Sequence, residues 1–313
     1  MTNAIIAMPD CHRFSFHAMG SPCAIHLYAD SATQAEQAAQ QIRQEVLRLE
    51  QKYSRYRDDS ITAAINRAAA AGASIEVDEE TAALLDYADT LWQQSESLFD
   101  ITSGLLRRAW DFKSGMLPPQ NTIDALLPRI GWHRVKWSRP QLHFPQPGME
   151  LDFGGYVKEY GADCAAAVAQ QQGVQHGLVE LGGDIRVIGP HPDGRPWSIG
   201  IRHPREPGSV LADIQLEQGA LASSGDYERC IEIDGRIYGH ILDPRSGWPV
   251  SGLIAVSVVA DHCLLAGTGA TVAMLKGSEG TAWLEQLGLP WLAMDADGRV
   301  YGTLADPLSC AHA

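Results

Sequence analysis

The sequence predicts an α+β fold of clustered antiparallel strands with helices inserted at irregular intervals. Segments of strand character cluster over residues 177–260 and are separated by turns that contain glycine and proline. The helical segments interrupt these strands irregularly, which disfavours a regular strand–helix array with a parallel sheet.

The first predicted elements are a strand pair and two helices. Residues 13–29 alternate between apolar and polar side chains, which predicts two strands separated by a break at Gly20 and Pro22. Residues 33–52 predict a helix, because apolar side chains recur there at helical spacing among Gln and Glu. A second helix is predicted over 79–94, where apolar side chains share one side.

The second half of the chain is predicted to be mainly strands. A helix rich in small residues is expected at 158–172. The strand segments after it are 177–188, 196–202, 210–216, 229–239 and 253–260. Two more helices are predicted at 263–276 and 279–286, and residues 291–303 predict a hairpin with an Asp-Gly turn.

Composition and charge predict a globular protein that does not bind nucleic acid. The chain has 313 residues, of which 45% are hydrophobic, and its formal net charge is −14. A chain of this length buries a core without a disulfide or zinc staple. Nucleic-acid binding needs a basic face, which an acidic chain does not favour. We expect one domain, 1–313, in which two lobes could meet near the Pro-rich residues 117–148.

The cysteines and the apolar runs predict a cytoplasmic protein. The six cysteines form no CxxC pair and show no matching histidine spacing, which favours buried thiols over disulfides. The first residues lack the basic segment and the long apolar run of a signal peptide, and no lipobox precedes Cys11. The longest apolar run elsewhere, 253–260, is too short to span a bilayer.

Two segments in the first half carry residues that suit ligand binding. Residues 19–21 (Met-Gly-Ser) lie at a strand break, where the thioether could pack on a flat ring or, alternatively, in the core beside a turn. Residues 151–158 end a strand in two glycines and begin a helix. The free N–H groups of that helix and the charge of Lys158 suit phosphate, although such a junction is also common without a ligand.

Two further segments lie in the second half. Residues 181–184 (Leu-Gly-Gly-Asp) repeat the glycine pair beside a carboxylate, which is also typical of a plain hairpin or bulge. Residues 223–227 are followed by the loop 239–247, which holds His240 and Asp243. A histidine beside a carboxylate suits a general base held in one orientation. Alternatively, the histidine caps a strand and the aspartate starts a turn.

Taken together and in this order, these segments resemble the ApbE family, the FAD:protein FMN transferases. The matching pieces are HAMGSP (17–22), YSRYRDDSITAAIN (53–66), LFDITSG (98–104), LDFGGYVKEYGAD (151–163), GLVELGGDIRVIG (177–189), LASSGDYER (221–229), GHILDPRSG (239–247) and VSVVADHCLLAGTGATVAML (256–275). The resemblance implies an ApbE-like fold and an enzyme that cleaves FAD. Such an enzyme attaches FMN through a phosphoester to a Ser or Thr of a target flavoprotein, releases AMP and uses Mg²⁺.

The resemblance also assigns residues to the site. It places around FAD the residues Met19, Tyr56, Leu98, Phe99, Asp100, Asp152, Lys158 and Ile241. His240 matches the family histidine near the reacting phosphate. As a general base it would take the proton of the target hydroxyl, and Asp243 could orient its ring. Because the protein is acidic, a local cation and free backbone N–H groups must neutralise the pyrophosphate.

The metal site departs from the family pattern. The family has an Asp four residues before a Thr, so that both side chains point from one helix face at one ion. Here Thr271 is kept and the Asp position is Gly267, so a carboxylate ligand is missing. Metal could bind more weakly through Thr271, the carbonyls of Gly155 and Ala270, water and the FAD phosphates. Another carboxylate could reach in, of which Asp261 is the nearest in sequence but lies off that helix face.

Two alternatives to transfer therefore stay open. The chain could hold FAD as a flavin carrier, or it could hydrolyse FAD as a metal-dependent pyrophosphatase. If the missing ligand limits turnover, Gly267→Asp should raise metal-dependent activity. A smaller departure is Glu159 after Lys158, where the family commonly has glycine, which disfavours close backbone approach at that position.

Overall fold

A computed structural model describes residues 10–305 of the chain. The strands are β1 (Asp10–Ala18), β2 (Ser21–Ala29), β3 (Ser74–Glu76), β4 (Lys136–Ser138), β5 (Gln141–His143), β6 (Gly177–Leu181), β7 (Asp184–Gly189), β8 (Trp197–Arg202), β9 (Val210–Leu216), β10 (Ala220–Gly225), β11 (Cys230–Ile233), β12 (Arg236–Gly239), β13 (Leu253–Ala260), β14 (Trp291–Asp295) and β15 (Val300–Tyr301). The α-helices are α1 (Ala32–Tyr53), α2 (Ile61–Ala71), α3 (Glu79–Gln94), α4 (Gln120–Leu126), α5 (Val157–Gln171), α6 (Cys263–Lys276) and α7 (Gly280–Leu287).

An eight-stranded antiparallel sheet organises these elements. Its strand order is β1-β2-β6-β7-β10-β13-β14-β15, and each neighbouring pair is antiparallel. Smaller sheets pair β3-β5-β4, β8-β9 and β11-β12. The strands and helices agree with the predicted α+β class.

Helices α1, α5 and α6 cover one face of the large sheet. Strand β2 buries Cys23, Ile25 and Leu27 toward them at the two-residue period of a strand. The helices meet this face and each other through small buried side chains, which include Ala38, Ala39, Ala162, Ala165, Ala166, Ala266 and Ala270. Because alanine side chains are short, the α5 and α6 backbones approach closely, which brings their polar residues together.

The β8–β9 hairpin covers part of the opposite face. Strand β8 alternates strictly, burying Trp197, Ile199 and Ile201 and exposing the residues between them. These side chains pack against Leu178 and Val187 of the large sheet. The sheet is therefore buried on both faces near its middle.

The chain between α1 and α5 builds two further apolar clusters. One gathers Leu85, Phe144 and Phe153 with the end of α1 and the middle of α6. The other joins α4 to Trp110 and to the loop after β12. Residues 117–148 contribute to both clusters, and the predicted meeting of two lobes there stays a prediction.

Most predicted elements are observed, with differences where turns are tight. The predicted strand 177–188 is a hairpin of β6 and β7, and 229–239 is a hairpin of β11 and β12, because glycines with positive φ reverse the chain. Helix α2 was not predicted. Its alanine-rich sequence shows little apolar periodicity, and Ser60 caps it by accepting from the Ala63 N–H. Among residues 10–305, no helix combines the length and apolarity needed to cross a membrane.

Candidate active site

The site begins at the turn between β1 and β2. Met19 has φ 51° and Gly20 has φ 72°, so both lie in the left-handed region. The Met19 N–H donates to Glu50 Oε1 at 2.8 Å, which holds this strained turn. The Met19 methyl group lies against α5, where a Cβ added at Gly161 would be only 3.1 Å from Met19 Cε.

The glycine turn between β6 and β7 packs against the first turn. Gly182 has φ 60°, and a Cβ added there would lie 2.8 Å from Ser21 Cβ and 3.5 Å from Lys158 Cδ. Only glycine fits this conformation and this space. The two predicted glycine motifs and the start of α5 therefore meet at one place.

Helix α5 begins there with an open N-terminus. Tyr156, the residue before it, supplies no side-chain cap, and the Val157 N–H donates to the Phe153 carbonyl at 3.0 Å. The first N–H groups of a helix lack intrahelical partners and attract anions. Lys158, at the second position, is paired with Asp184, whose Oδ1 accepts from the Ser223 N–H at 3.1 Å.

Helix α6 brings the predicted metal-binding run to the same place. The hydroxyl oxygens of Thr271 on α6 and Ser224 on β10 are 2.9 Å apart. One turn earlier, Gly267 packs on Glu159 of α5, since a Cβ added at Gly267 would lie 2.5 Å from Glu159 Cγ. Ala270 is fully buried between these two positions.

The side chains do not form a cluster of metal ligands of the usual kind. Over residues 10–305, no group of three or more His, Cys, Asp or Glu is placed to hold an ion. The oxygen donors at this place are hydroxyls, backbone carbonyls and single carboxylates. Hard cations such as Mg²⁺ accept such donors and keep several waters or substrate oxygens as ligands.

Asp152 and Tyr56 meet at the loop before α5. The Asp152 carboxylate is paired with Arg55 and accepts the Gly154 N–H at 2.9 Å. Arg55 also donates to the Tyr56 hydroxyl at 2.8 Å, although Tyr56 itself is 81% exposed. Sequence reasoning missed Arg55, for which the only signal was its position beside Tyr56 in the matching segment 53–66.

Residues 98–100 occupy buried positions behind this loop. Leu98 and Phe99 are buried, and the Phe99 ring lies 3.6 Å from the position of a Cβ added at Gly155. Asp100 is buried too, but its carboxylate accepts from Thr102 N at 2.8 Å and from Trp132 N at 2.8 Å. The side chain of Asp100 thus caps a 3-10 helix and tethers a neighbouring loop, and its predicted contact with FAD stays a prediction.

His240 and Ile241 follow β12 directly. Like Met19, Ile241 packs against two apolar clusters. One lies between the large sheet and helices α1, α5 and α6, and the other surrounds Phe153. His240 Nδ1 is buried and has no hydrogen-bond partner within residues 10–305. Burial lowers the pKa of His240, and the nearby Glu228 carboxylate opposes this only in part. The ring is therefore neutral near pH 7.

The structure corrects the role predicted for Asp243. Its Oδ1 accepts from the backbone N–H of Arg245 at 2.8 Å and from the Arg245 guanidinium at 3.2 Å. The Gly247 N–H donates to the Asp243 carbonyl at 2.8 Å. Asp243 thus builds the turn that was the alternative interpretation, and its carboxylate is engaged there rather than with the ring of His240.

Comparison with known proteins identifies the family. The model of the ApbE family matches residues 19–292. The chain belongs to the ApbE family. It is 33% identical over 247 residues to an FAD:protein FMN transferase of Rhodobacter capsulatus, covering 76% of this chain but only 47% of that relative, so it spans about half that protein's length. It is 32% identical over 266 residues to an FAD:protein FMN transferase of Chlamydia pneumoniae, covering 82% of each.

Solved ApbE structures share the fold. The ApbE protein of Thermotoga maritima superposes with a TM-score of 0.88 at 27% identity, covering 97% of this chain and 100% of that one. The flavin transferase ApbE of Vibrio cholerae gives a TM-score of 0.83 at 27% identity, covering 95% and 98%. These findings confirm the family and the mixed α+β fold predicted from the sequence, and the named relatives are transferases of the predicted kind.

Proposed function

We propose that this protein is an FAD:protein FMN transferase, which moves the FMN half of FAD onto a hydroxyl of another protein. The observation that supports it is the convergence of the two glycine turns, the open start of α5 with Lys158, and the hydroxyl pair Ser224–Thr271. In an acidic protein, such a local concentration of anion-binding groups favours a phosphate ligand.

The pyrophosphate of FAD binds at the start of α5. Backbone N–H groups of the first turn bind its negative charge there, and the Lys158 ammonium group, which is paired with Asp184, lies beside them. The flavin and its linker lie along Met19, Ile241 and the two loops that carry Tyr56 and Asp152. Met19 and Ile241 offer apolar surface, and Arg55 holds the Asp152 carboxylate in place.

The residues present fit a magnesium ion beside the phosphates. Its oxygen ligands would be the Thr271 hydroxyl and the backbone carbonyls of Gly155 and Ala270. Bound there, Mg²⁺ would neutralise charge on the phosphate oxygens. Glu159 Oε2 is a buried carboxylate oxygen without a hydrogen-bond partner in the described chain, which favours a cation at this place.

The transfer step exchanges the phosphoanhydride bond of FAD for a phosphoester bond. The acceptor hydroxyl oxygen forms a bond to the phosphorus of the FMN half, and the P–O bond to the AMP phosphate breaks. AMP leaves with the bonding electron pair, and the hydroxyl proton moves to His240. Because burial lowers the pKa of His240, its ring is neutral and free to accept that proton.

The acceptor is proposed to be a flavoprotein with a Ser or Thr at its flavinylation site, and the reaction is proposed to take place in the cytoplasm. A hydroxyl is the nucleophile that this step requires, because its proton passes to a neutral base. Cell fractionation checks the location, and recovery of the protein outside the cytoplasmic fraction would contradict it.

One incubation tests the proposed transfer. The protein is mixed with FAD, Mg²⁺ and an acceptor flavoprotein, and the intact mass of the acceptor and the released nucleotide are measured. We expect a gain of one FMN residue with an equal amount of AMP, and no gain on an acceptor whose Ser or Thr is changed to Ala. Free FMN and AMP without labelling would mean a pyrophosphatase, and unchanged FAD would mean a carrier; either result refutes transfer.

A further inference from the structure

Gly267 lies in the interior of α6, where a glycine lowers the stability of the helix by about 1 kcal/mol relative to alanine. The structure shows what occupies the space of its absent side chain. The nearest atoms to a Cβ added there are Cγ, Cδ and Oε1 of Glu159, at 2.5, 3.1 and 3.2 Å. A side chain at 267 and the present side chain of Glu159 therefore exclude one another.

Glu159 is an unsatisfied carboxylate inside the protein. The residue is only 8% exposed, and its Oε2 has no hydrogen-bond partner anywhere in the described chain. Its Oε1 lies 3.4 Å from the Lys158 ammonium, which is paired more closely with Asp184. A buried carboxylate oxygen without a partner costs free energy and calls for a ligand.

The surroundings of Glu159 suit a divalent cation. The carboxylates of Glu159 and Asp184 share the single ammonium group of Lys158, so the three side chains together carry an excess negative charge. Thr271 lies four residues after Gly267, on the same face of α6, with its hydroxyl beside that of Ser224.

We infer that Glu159 supplies from α5 the carboxylate ligand that the family's Asp would supply from position 267 on α6. The Cγ of an Asp at 267 would lie one carbon–carbon bond, about 1.5 Å, from the Cβ position. The Glu159 side chain now fills the space around that Cβ position, with its Cγ at 2.5 Å and its carboxylate Cδ and Oε1 at 3.1 and 3.2 Å. The two departures from the family pattern, Glu159 and Gly267, are thus one exchange of a carboxylate between facing helices. This inference rests on the proposed function for the identity of the cation.

The exchange reverses an expectation from the sequence. Gly267→Asp alone was expected to raise metal-dependent activity, but the new Cβ would collide with Glu159. We expect that single variant to lower the melting temperature without improving metal binding. The double variant E159G/G267D moves the carboxylate to α6 and removes the collision, so it should bind metal as the wild type does.

The test measures Mn²⁺ binding directly, from the electron paramagnetic resonance signal of free Mn²⁺, with and without FAD. We expect E159Q to weaken Mn²⁺ binding at least tenfold, and E159G/G267D to restore it to within about threefold of the wild type. The matched control is D261N, which removes an exposed carboxylate close in sequence and should leave Mn²⁺ binding unchanged. Melting temperatures confirm that each variant is folded.

The outcomes separate this inference from the proposed function. Unchanged Mn²⁺ binding by folded E159Q, or a loss in D261N instead, overturns the inference, as does a wild type that binds no Mn²⁺ with FAD. If the wild type labels an acceptor with FMN while E159Q binds Mn²⁺ normally, the function stands and the inference fails. If Mn²⁺ binding depends on Glu159 but FAD remains intact, the cation site stands and the proposed transfer fails.

Discussion

Helices α5 and α6 lie against each other, but the hydrogen-bond partners of the first N–H groups differ between the two helices. The start of α6 is closed by Asp163 of α5, whose carboxylate accepts the N–H groups of Cys263 at 2.8 Å and Leu264 at 2.9 Å. The start of α5 receives no such side chain from residues 10–305. There the Val157 N–H donates to the Phe153 carbonyl at 3.0 Å, and we propose that the remaining N–H groups of the first turn serve a ligand.

The same contrast separates two carboxylates on α5. Asp163 lies four residues after Glu159, so both point from one face of α5 toward α6. Asp163 is fully engaged, since it also pairs with Arg186 at 3.1 Å. Glu159 keeps an oxygen without a partner. The more exposed carboxylate, Asp163, is thus satisfied by the protein alone, whereas the buried Glu159 is not, and Glu159 lies beside the proposed phosphate site.

The largest effect is expected at His240, whose Nδ1 is also without a hydrogen-bond partner in the described chain. His240→Gln should lower the rate of FMN transfer by about 10²–10⁴-fold, because it removes the proposed proton acceptor. FAD affinity should change less than about threefold, since the ring is assigned to the proton and not to binding. Single-turnover release of AMP measures the first quantity, and quenching of flavin fluorescence measures the second. Transfer at the wild-type rate would remove His240 from the mechanism.

Amide substitutions test the two carboxylates of α5 against each other. Asp163→Asn should lower the free energy of unfolding by about 1–3 kcal/mol, because a charged helix cap and an ion pair are lost. Glu159→Gln is the matched change and should alter it by less than about 1 kcal/mol, because its Oε2 has no hydrogen bond to lose. Urea unfolding of both variants gives the difference. Equal destabilisation would show that Glu159, too, is structural.

The comparison of α5 with α6 also shows what sequence could predict. Helices α1 and α3 and the glycine turns were predictable, because periodicity and Gly-Gly pairs are local signals. The contact between Glu159 and Gly267 was not predictable, because the two positions are far apart in the chain. Taken singly, each departure from the family pattern indicates only that a family residue is missing. Asp100 was assigned to the site by resemblance, yet the hydrogen bond of its carboxylate to Trp132 is visible only in the folded chain, whereas the turn at Asp243 was already an alternative from the sequence.

A smaller effect is expected where glycine keeps space open beside α5. Gly182→Ala should cost about 1–2 kcal/mol more than Gly235→Ala, and it should weaken FAD binding. Both glycines have positive φ, so both variants carry the same backbone strain of about 1–2 kcal/mol. Only at Gly182 does the new Cβ meet a neighbour, Ser21 at 2.8 Å, whereas within the described chain Gly235 has no atom within 4 Å. Equal unfolding free energies would show that the turn adjusts freely.

The smallest effect concerns the pH dependence of transfer. Because burial lowers the pKa of His240 below its usual 6.5, its ring is protonated only in more acidic solution, and the rate should fall on the acid side of pH 6.5 rather than above it. Glu228 opposes this lowering, so Glu228→Gln should move the acid limb further toward low pH. The rate at any one pH should then rise at most about fivefold, since an exposed charge is worth roughly 0.2–1 kcal/mol. Asp261→Asn, a change of another exposed carboxylate, should leave the profile in place. If the fall of the rate at acid pH moved toward higher pH in Glu228→Gln, a group other than His240 would be taking the proton.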